Sequence, residues 1–223
     1  MYGNSRPVCS DQTGLHPRLD ETVRRHLHSV WRQPVASHTH EAFRHAIEWR
    51  QARGAERPVI LDSCCGTGRS SRSLAQDHGA ALIIGIDQSG ARLARGQRAD
   101  PLPDNLLLVR AECADFWRLA VDQGWQLARH CLFYPNPWPK AAHLKRRWHG
   151  HPVFPALLAL GGTLEVRSNW LIYLEEMRSA LALAGREVTL AALPGGNPPL
   201  TDFERKYRDS GHPLYQLTSN LQV

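Results

Sequence analysis

Pro58-Val59-Ile60-Leu61-Asp62-Ser63-Cys64-Cys65-Gly66-Thr67-Gly68 is an apolar run that ends in an acid and breaks into a glycine-bearing turn. From Pro58 to Asp62 no polar residue alternates with the aliphatic ones, which predicts a strand covered on both faces. Residues 69–78 then predict a helix. This strand–turn–helix order places the turn at the carboxyl end of the strand, where open α/β sheets bind their ligands.

Downstream the pattern recurs. Ala81–Asp87, Leu106–Val109, Cys131–Tyr134 and Thr163–Arg167 are further apolar runs separated by helical stretches, among them Trp170–Leu183. Glu187–Leu193 and Pro213–Thr218 bring the strands to seven. Near-continuous apolar strands alternating with helices predict an α/β fold, a mostly parallel sheet with helices on both faces. Thr201-Asp202-Phe203-Glu204 is expected on an extended loop between the last two strands. Upstream, residues 1–55 are polar and rich in His and Arg, with short amphipathic helices expected over Leu19–Val30 and His40–Gln51. Gly54 then stops the second helix. The expected organisation is an N-terminal helical extension over 1–55 and a main domain over 56–223.

Composition narrows the partners. The chain has 223 residues, 42% of them apolar, enough for a buried core. It contains no long apolar run of the kind that crosses a membrane. Met1-Tyr2-Gly3-Asn4-Ser5-Arg6-Pro7 lacks the apolar core of a signal peptide, so a soluble, cytoplasmic protein is expected. A net charge of +6 and a pI of about 9.4 favour a polyanionic partner. The five cysteines are odd in number and show no zinc-type spacing, so free thiols in a reducing compartment are expected. His40 and His45 are one position too far apart for an H-E-x-x-H site, and no metal is expected. Monomer and homodimer both stand open.

Two acids and the glycines define a candidate cofactor end. Asp62 precedes the turn and Asp87 ends the second strand, where an acid accepts from both hydroxyls of a ribose. These features suit either a dinucleotide or S-adenosylmethionine. The dinucleotide fingerprint needs G-x-G-x-x-G, and here Ser71 stands where its third glycine belongs. Asp62 also suits a cationic amino-acid ligand better than a pyrophosphate. The spacing therefore favours S-adenosylmethionine, and the turn resembles the D/E-x-G-x-G-x-G turn of class I methyltransferases with Cys64 in the first glycine position.

A second stretch points to the substrate. Tyr134-Pro135-Asn136-Pro137-Trp138-Pro139-Lys140 cannot be a helix or an interior strand, because each proline removes a donor and restricts the residue before it. A stiff loop presenting Asn136 and Trp138, followed by Lys145-Arg146-Arg147-Trp148, suits a planar base on an anionic backbone. The alternative is a proline-rich turn with a core Trp and a solvated basic helix. Arg24-Arg25-His26 carries the same two readings, an RNA surface or a solvated helix face.

Taken together, Leu61–Gly68, Gly85-Ile86-Asp87-Gln88-Ser89, Tyr134–Lys140 with His143 and Lys145-Arg146-Arg147, Ser168-Asn169-Trp170, and Thr201–Glu204 with Gly211-His212 resemble the bacterial tRNA (guanine-N7)-methyltransferase family. The resemblance implies a Rossmann-like class I methyltransferase fold, seven-stranded with the last strand antiparallel, and methylation of guanine N7 in tRNA, in the variable-loop region. It implies that S-adenosylmethionine meets Asp62, Cys64, Gly66, Gly68, Asp87, Gln88, Glu112, Cys113 and Asn136. It implies that Lys140, Asn169, Thr201, Asp202, Phe203 and Glu204 shape the substrate pocket, that Lys145, Arg146 and Arg147 hold the RNA backbone, and that Asn136 is the catalytic position.

The chain departs from the family at two carboxylates. Asn136 replaces the acid of Phe-Pro-Asp-Pro-Trp, and Asn169 replaces that of Thr-Asp-Trp. Near the third strand the usual acid is represented by Glu112-Cys113. Guanine N7 carries no proton, so its methylation needs alignment rather than a base. Exchanging a charge-assisted bond for a neutral one costs about 1–2 kcal/mol, roughly tenfold in rate per site. Two rivals follow: a methyltransferase acting on another RNA or a small molecule, and an RNA-binding relative that has lost turnover. A nucleotide-dependent oxidoreductase is disfavoured by the glycine spacing.

Overall fold

Five parallel strands form the centre of the sheet: β1 (Val59–Ser63), β2 (Leu82–Asp87), β3 (Leu106–Arg110), β4 (Arg129–Phe133) and β5 (Thr163–Ser168). Two more, β6 (Val188–Ala192) and β7 (Tyr215–Asn220), complete the order β3-β2-β1-β4-β5-β7-β6, with β7 antiparallel to both neighbours. The expected seven-stranded α/β fold is the one observed. The computed structural model describes residues 4–99 and 101–222; Met1–Gly3, which begin the expected 1–55 extension, lie outside the described residues, as do Asp100 and Val223.

β1, β2 and β3 form where the chain is apolar and short of polar alternation, whereas β5 and β7 alternate polar and apolar side chains. β1 and β2 are buried along their whole length, acids included. Their register pairs Leu61 with Ile84 and Ser63 with Ile86, which brings the Asp62 turn and Asp87 to the same end of the sheet. The connecting helices are α3 (Arg69–Asp77), α4 (Gly90–Ala99), α5 (Cys113–Asp122), α6 (Phe154–Ala159) and α7 (Leu171–Leu183). Two short 3-10 turns, Ala141–Arg146 and Trp148–Gly150, follow the proline loop after β4.

Helices α1 (Leu19–Leu27) and α2 (Ser37–Arg53) precede the sheet; α2 packs against β3 and α5, and α1 against α6 and α7. Leu19, Val23, Phe43, Ala46 and Trp49 belong to the same core as β1, α5 and α7. Each large side chain contributes about 2 kcal/mol of apolar burial, so this region is bound into the main core through its own side chains.

One element differs from the sequence reading. Thr201–Glu204 do not lie on an extended loop: helix α8 (Asp202–Asp209) begins there, with the Thr201 hydroxyl accepting the Glu204 N–H at 2.9 Å. Thr-x-x-Glu is a helix-start signature, because the threonine oxygen satisfies a first-turn donor that has no partner within the helix. Two surface hollows, of about 580 and 570 Å³, are lined by residues such as Pro58, Ala81 and Thr163, and Thr163, Glu187 and Asn220. Both sit at the amino-terminal ends of the parallel strands, away from the turns just described.

Candidate active site

The turn after β1 is built on left-handed backbone: φ is +62° at Cys64, +62° at Gly66 and +76° at Gly68. Gly68 suits its left-handed backbone, and a Cβ there would lie 2.7 Å from the Leu108 side chain, which would have to shift. Above Gly66 no atom lies within 4 Å of where a Cβ would stand, leaving the backbone open to a ligand. Asp62 is wholly buried beneath the turn, and its Oδ2 accepts the Ser70 and Ser71 hydroxyls, each at 2.6 Å. Its Oδ1 has no partner. Burial outweighs the two serine bonds and pushes the Asp62 carboxyl up to about 6.

Asp87 closes the other wall. Its Oδ2 accepts the Gly66 N–H at 3.0 Å and faces Arg92 at 3.3 Å, while Oδ1 accepts the Ser89 N–H at 2.8 Å. Gln88 is exposed beside it. A buried carboxylate with one bare oxygen, beneath an open glycine turn, invites a cation. S-adenosylmethionine carries an ammonium and a sulfonium and fits that demand; a pyrophosphate would set anion against anion.

The loop after β4 is braced at two strained points, Tyr134 (φ +53°) and Trp138 (φ +46°). Non-glycine residues in this region cost about 1 kcal/mol or more each and cluster where a loop has a task. Asn136 is exposed, and its Oδ1 accepts the Trp138 N–H at 3.2 Å. Aspartate would make the same bond, so the amide preserves the loop's brace and changes only the charge it shows. The Trp138 ring has His143 at its edge, 5.4 Å away, and the Arg146 guanidinium 4.7 Å over its face. Lys140, Lys145 and Arg146 are exposed. So are Arg24 and Arg25 of α1, which packs against the second 3-10 turn.

Arg147 requires a correction: it is fully buried and cannot meet a phosphate. Its guanidinium bonds Glu176 at 2.5 Å, the Gln12 side chain at 3.0 Å and the carbonyls of Trp138 and Lys140. It anchors the proline loop from beneath. Burial alone would push Glu176 up, yet the bonds from His149 and Arg147 prevail and hold it down at about 2.

At the end of β5, Asn169 Nδ2 pairs with His212 Nδ1 at 3.1 Å, and His212 Nε2 meets the Ser5 carbonyl at 3.0 Å. With the amide nitrogen donating, the ring accepts at Nδ1 and donates from Nε2. The ring stacks on Tyr207 at 5.4 Å, and Tyr207 on Phe203, whose side chain is exposed. Asp202 ties α8 to the glycine turn by accepting from Thr67 Oγ1 at 2.9 Å and Arg69 at 3.3 Å. Glu204 is the second correction: it is fully buried between Arg167 and Arg208 and faces no pocket. Thr201 is occupied as the cap of α8. Glu112 is half-buried with its N–H on Thr39, and Cys113 Sγ lies 3.6 Å from Cys64 Sγ.

Sequence reasoning missed the N-terminal arm. Ser10 donates to the Pro139 carbonyl at 2.5 Å, Asp11 accepts the Ala141 N–H at 3.2 Å, and Gln12 joins the Arg147–Glu176 cluster. No periodicity marks these polar residues, so nothing in the sequence announced the contact. His40 and His45 are exposed, and among the described residues no group of three or more potential ligands is placed to hold a metal.

Comparison with known proteins bears on this geometry. A family model described as "Putative methyltransferase" matches residues 56–217. A tRNA (guanine-N(7)-)-methyltransferase of Aeromonas hydrophila subsp. hydrophila is 30% identical over 180 residues, 74% of this chain and 73% of that protein. The chain belongs to the tRNA (guanine-N7)-methyltransferase family. A relative of the same name from Leifsonia xyli subsp. xyli is 28% identical over 74% of this chain and 76% of its own length. Among solved structures, the 16S rRNA methyltransferase KamB superposes with a TM-score of 0.57 at 17% identity, covering 86% of this chain and 96% of that one, a likeness of fold. As a member of the tRNA (guanine-N7)-methyltransferase family, the chain has its glycine turn, its proline loop and α8 gathered at one end of the sheet. Among the described residues no helix is long and apolar enough to cross a membrane.

Proposed function

We propose that this protein transfers a methyl group from S-adenosylmethionine to N7 of a guanine in tRNA, within the variable-loop region, in the cytoplasm. One observation carries the reading: a buried carboxylate with a bare oxygen beneath an open glycine turn shares the strand ends with a proline-braced loop flanked by exposed cations. S-adenosylmethionine, when bound, supplies an electrophilic methyl on a sulfonium. Asp62 Oδ1 takes the ammonium. The backbone from Cys64 to Gly68 forms the floor, Asp87 receives the ribose once Arg92 swings aside, and Gln88, Glu112 and Cys113 line the base.

On the substrate side the residues position rather than exchange protons. N7 has a free lone pair, so no general base is needed. Asn136 offers its Nδ2 and the remaining lone pair of its Oδ1 to the guanine edge. Lys140, Lys145 and Arg146 neutralise phosphates, and Asn169, Phe203 and Asp202 close the far wall. Arg147, Glu204 and Thr201 hold these groups in place from within the fold. Labelled S-adenosylmethionine with bulk tRNA, followed by nucleoside mass spectrometry, is expected to yield 7-methylguanosine. Binding of S-adenosylmethionine without transfer to any tRNA would sink the proposal.

A further inference from the structure

The sulfurs of Cys64 and Cys113 stand 3.6 Å apart, in contact but not bonded. They come from opposite sides of the candidate cofactor pocket. Cys64 is in the turn after β1, and Cys113 opens α5 after β3. In the sheet order β2 lies between those strands, so the pair reaches across the end of β2, whose last residue is Asp87. Cys64 is half-exposed, whereas Cys113 is buried. The other cysteines are placed differently: Cys65 and Cys131 are buried, and Cys9 is exposed with its thiol on the Pro7 carbonyl at 3.7 Å.

Cys64 is also an uncommon residue for its backbone. At φ +62° a side chain costs free energy that glycine would not. In that conformation its thiol lies 3.6 Å from a second thiol at the carboxyl end of the sheet. We propose that Cys64 and Cys113 are an oxidative modification site, closing to a disulfide that shuts the cofactor pocket and switches cofactor binding off. The switching half rests on the cofactor site proposed above.

The chemistry balances with a hydroperoxide as oxidant. The accessible Cys64 thiol attacks the peroxide, the O–O bond breaks, and Cys64 becomes a sulfenic acid as an alcohol or water leaves. The Cys113 sulfur then displaces the sulfenic oxygen, forming the S–S bond and releasing water. Two thiols lose two electrons and two protons, and one peroxide is reduced. Cys64 is the first sulfur to react because it is the one a peroxide can reach; the hydrogen bond with Cys64, and then burial, raise the Cys113 thiol well above the ordinary range.

The test treats the full chain with hydrogen peroxide, maps linked peptides by mass spectrometry, and measures S-adenosylmethionine affinity by calorimetry before and after. The expected result is a Cys64–Cys113 linked peptide, 2 Da lighter than the two thiol peptides together, with affinity at least tenfold weaker and restored by dithiothreitol. Saturating S-adenosylmethionine should slow the linkage. In Cys64→Gly and in Cys113→Ser, each compared with its own reduced form, no linked peptide should form. In Cys64→Gly the oxidised-to-reduced affinity ratio should stay near one. Oxidation of Cys64 to a sulfinic acid with no linkage overturns the proposal, as does linkage with unchanged affinity. A linked peptide from protein that binds no S-adenosylmethionine even when reduced overturns the switch through the failure of the cofactor reading, and leaves the disulfide itself standing.

Discussion

Two carboxylates, Asp62 and Glu176, are equally hidden from water, and their surroundings drive them in opposite directions. Asp62 is pushed up to about 6, and Glu176 is held down at about 2. Asp62 has two serine hydroxyls on one oxygen and nothing on the other. Glu176 has a guanidinium, an imidazole, the Gln12 amide and the His16 N–H. The difference separates a charge held for a ligand from a charge that holds the fold. A buried ion with every lone pair satisfied is structural; one with a bare oxygen stores unfavourable desolvation that a cationic ligand relieves.

The sharpest way to break the comparison is at Glu176. Replacing it by Gln leaves the Arg147 guanidinium buried without an anion and is expected to cost about 3–5 kcal/mol, read as a fall in the urea midpoint. The variant should also loosen the proline loop, seen as faster proteolysis between Trp138 and Arg147. Asp62→Asn should do the reverse. A carboxyl raised by about two units costs about 3 kcal/mol at neutral pH, so the amide should gain about 1–3 kcal/mol of stability while S-adenosylmethionine binding is lost. A variant that is both less stable and still binds would end the proposed role of Asp62.

Acid should expose the same contrast. Burial depresses His130 to about 3 and His151 to about 4, so below about pH 6.5 the unfolded chain takes up protons that the folded one refuses, and stability falls. Asp62, raised rather than lowered, gives stability back as pH falls from about 6 toward 4. His26 and His149, also held below the ordinary imidazole range by burial, add to the fall, and Asp62→Asn should steepen it by up to one proton, about 1.4 kcal/mol per pH unit. Glu176 adds its own loss below about pH 4.5 as it approaches protonation. Urea midpoints between pH 7 and 4.5 measure this. The smallest effect is expected at Asn136→Asp. The Trp138 N–H bond survives, so stability should hold while tRNA methylation rises about tenfold. An unchanged rate would show that the carboxylate is dispensable here.

The contrast also shows what the sequence made legible. The central strands were legible because β1, β2 and β3 are short apolar runs, and the glycine turn because acid, glycines and strand end coincide. Helix α8 was hidden by reading Thr201–Glu204 as four pocket residues when Thr-x-x-Glu is a cap. Arg147 was hidden by its neighbours: within Lys145-Arg146-Arg147 nothing local distinguishes the arginine that turns inward, and its partners lie on α7 and in the N-terminal arm. The Cys64–Cys113 contact was equally out of reach, being a product of sheet order rather than of spacing.

The position of β7 governs when the site comes into being. It follows the other described strands in sequence but is an interior strand of the sheet, paired with β5 on one side and β6 on the other. As the chain leaves the ribosome, β6 has no bonded neighbour until β7 emerges and slides between it and β5. Helix α8, which spans the gap between them and clasps the glycine turn through Asp202, is therefore seated only after the rest of the sheet has been waiting. During synthesis, the early-made turn stands without its α8 wall until β7 closes the sheet.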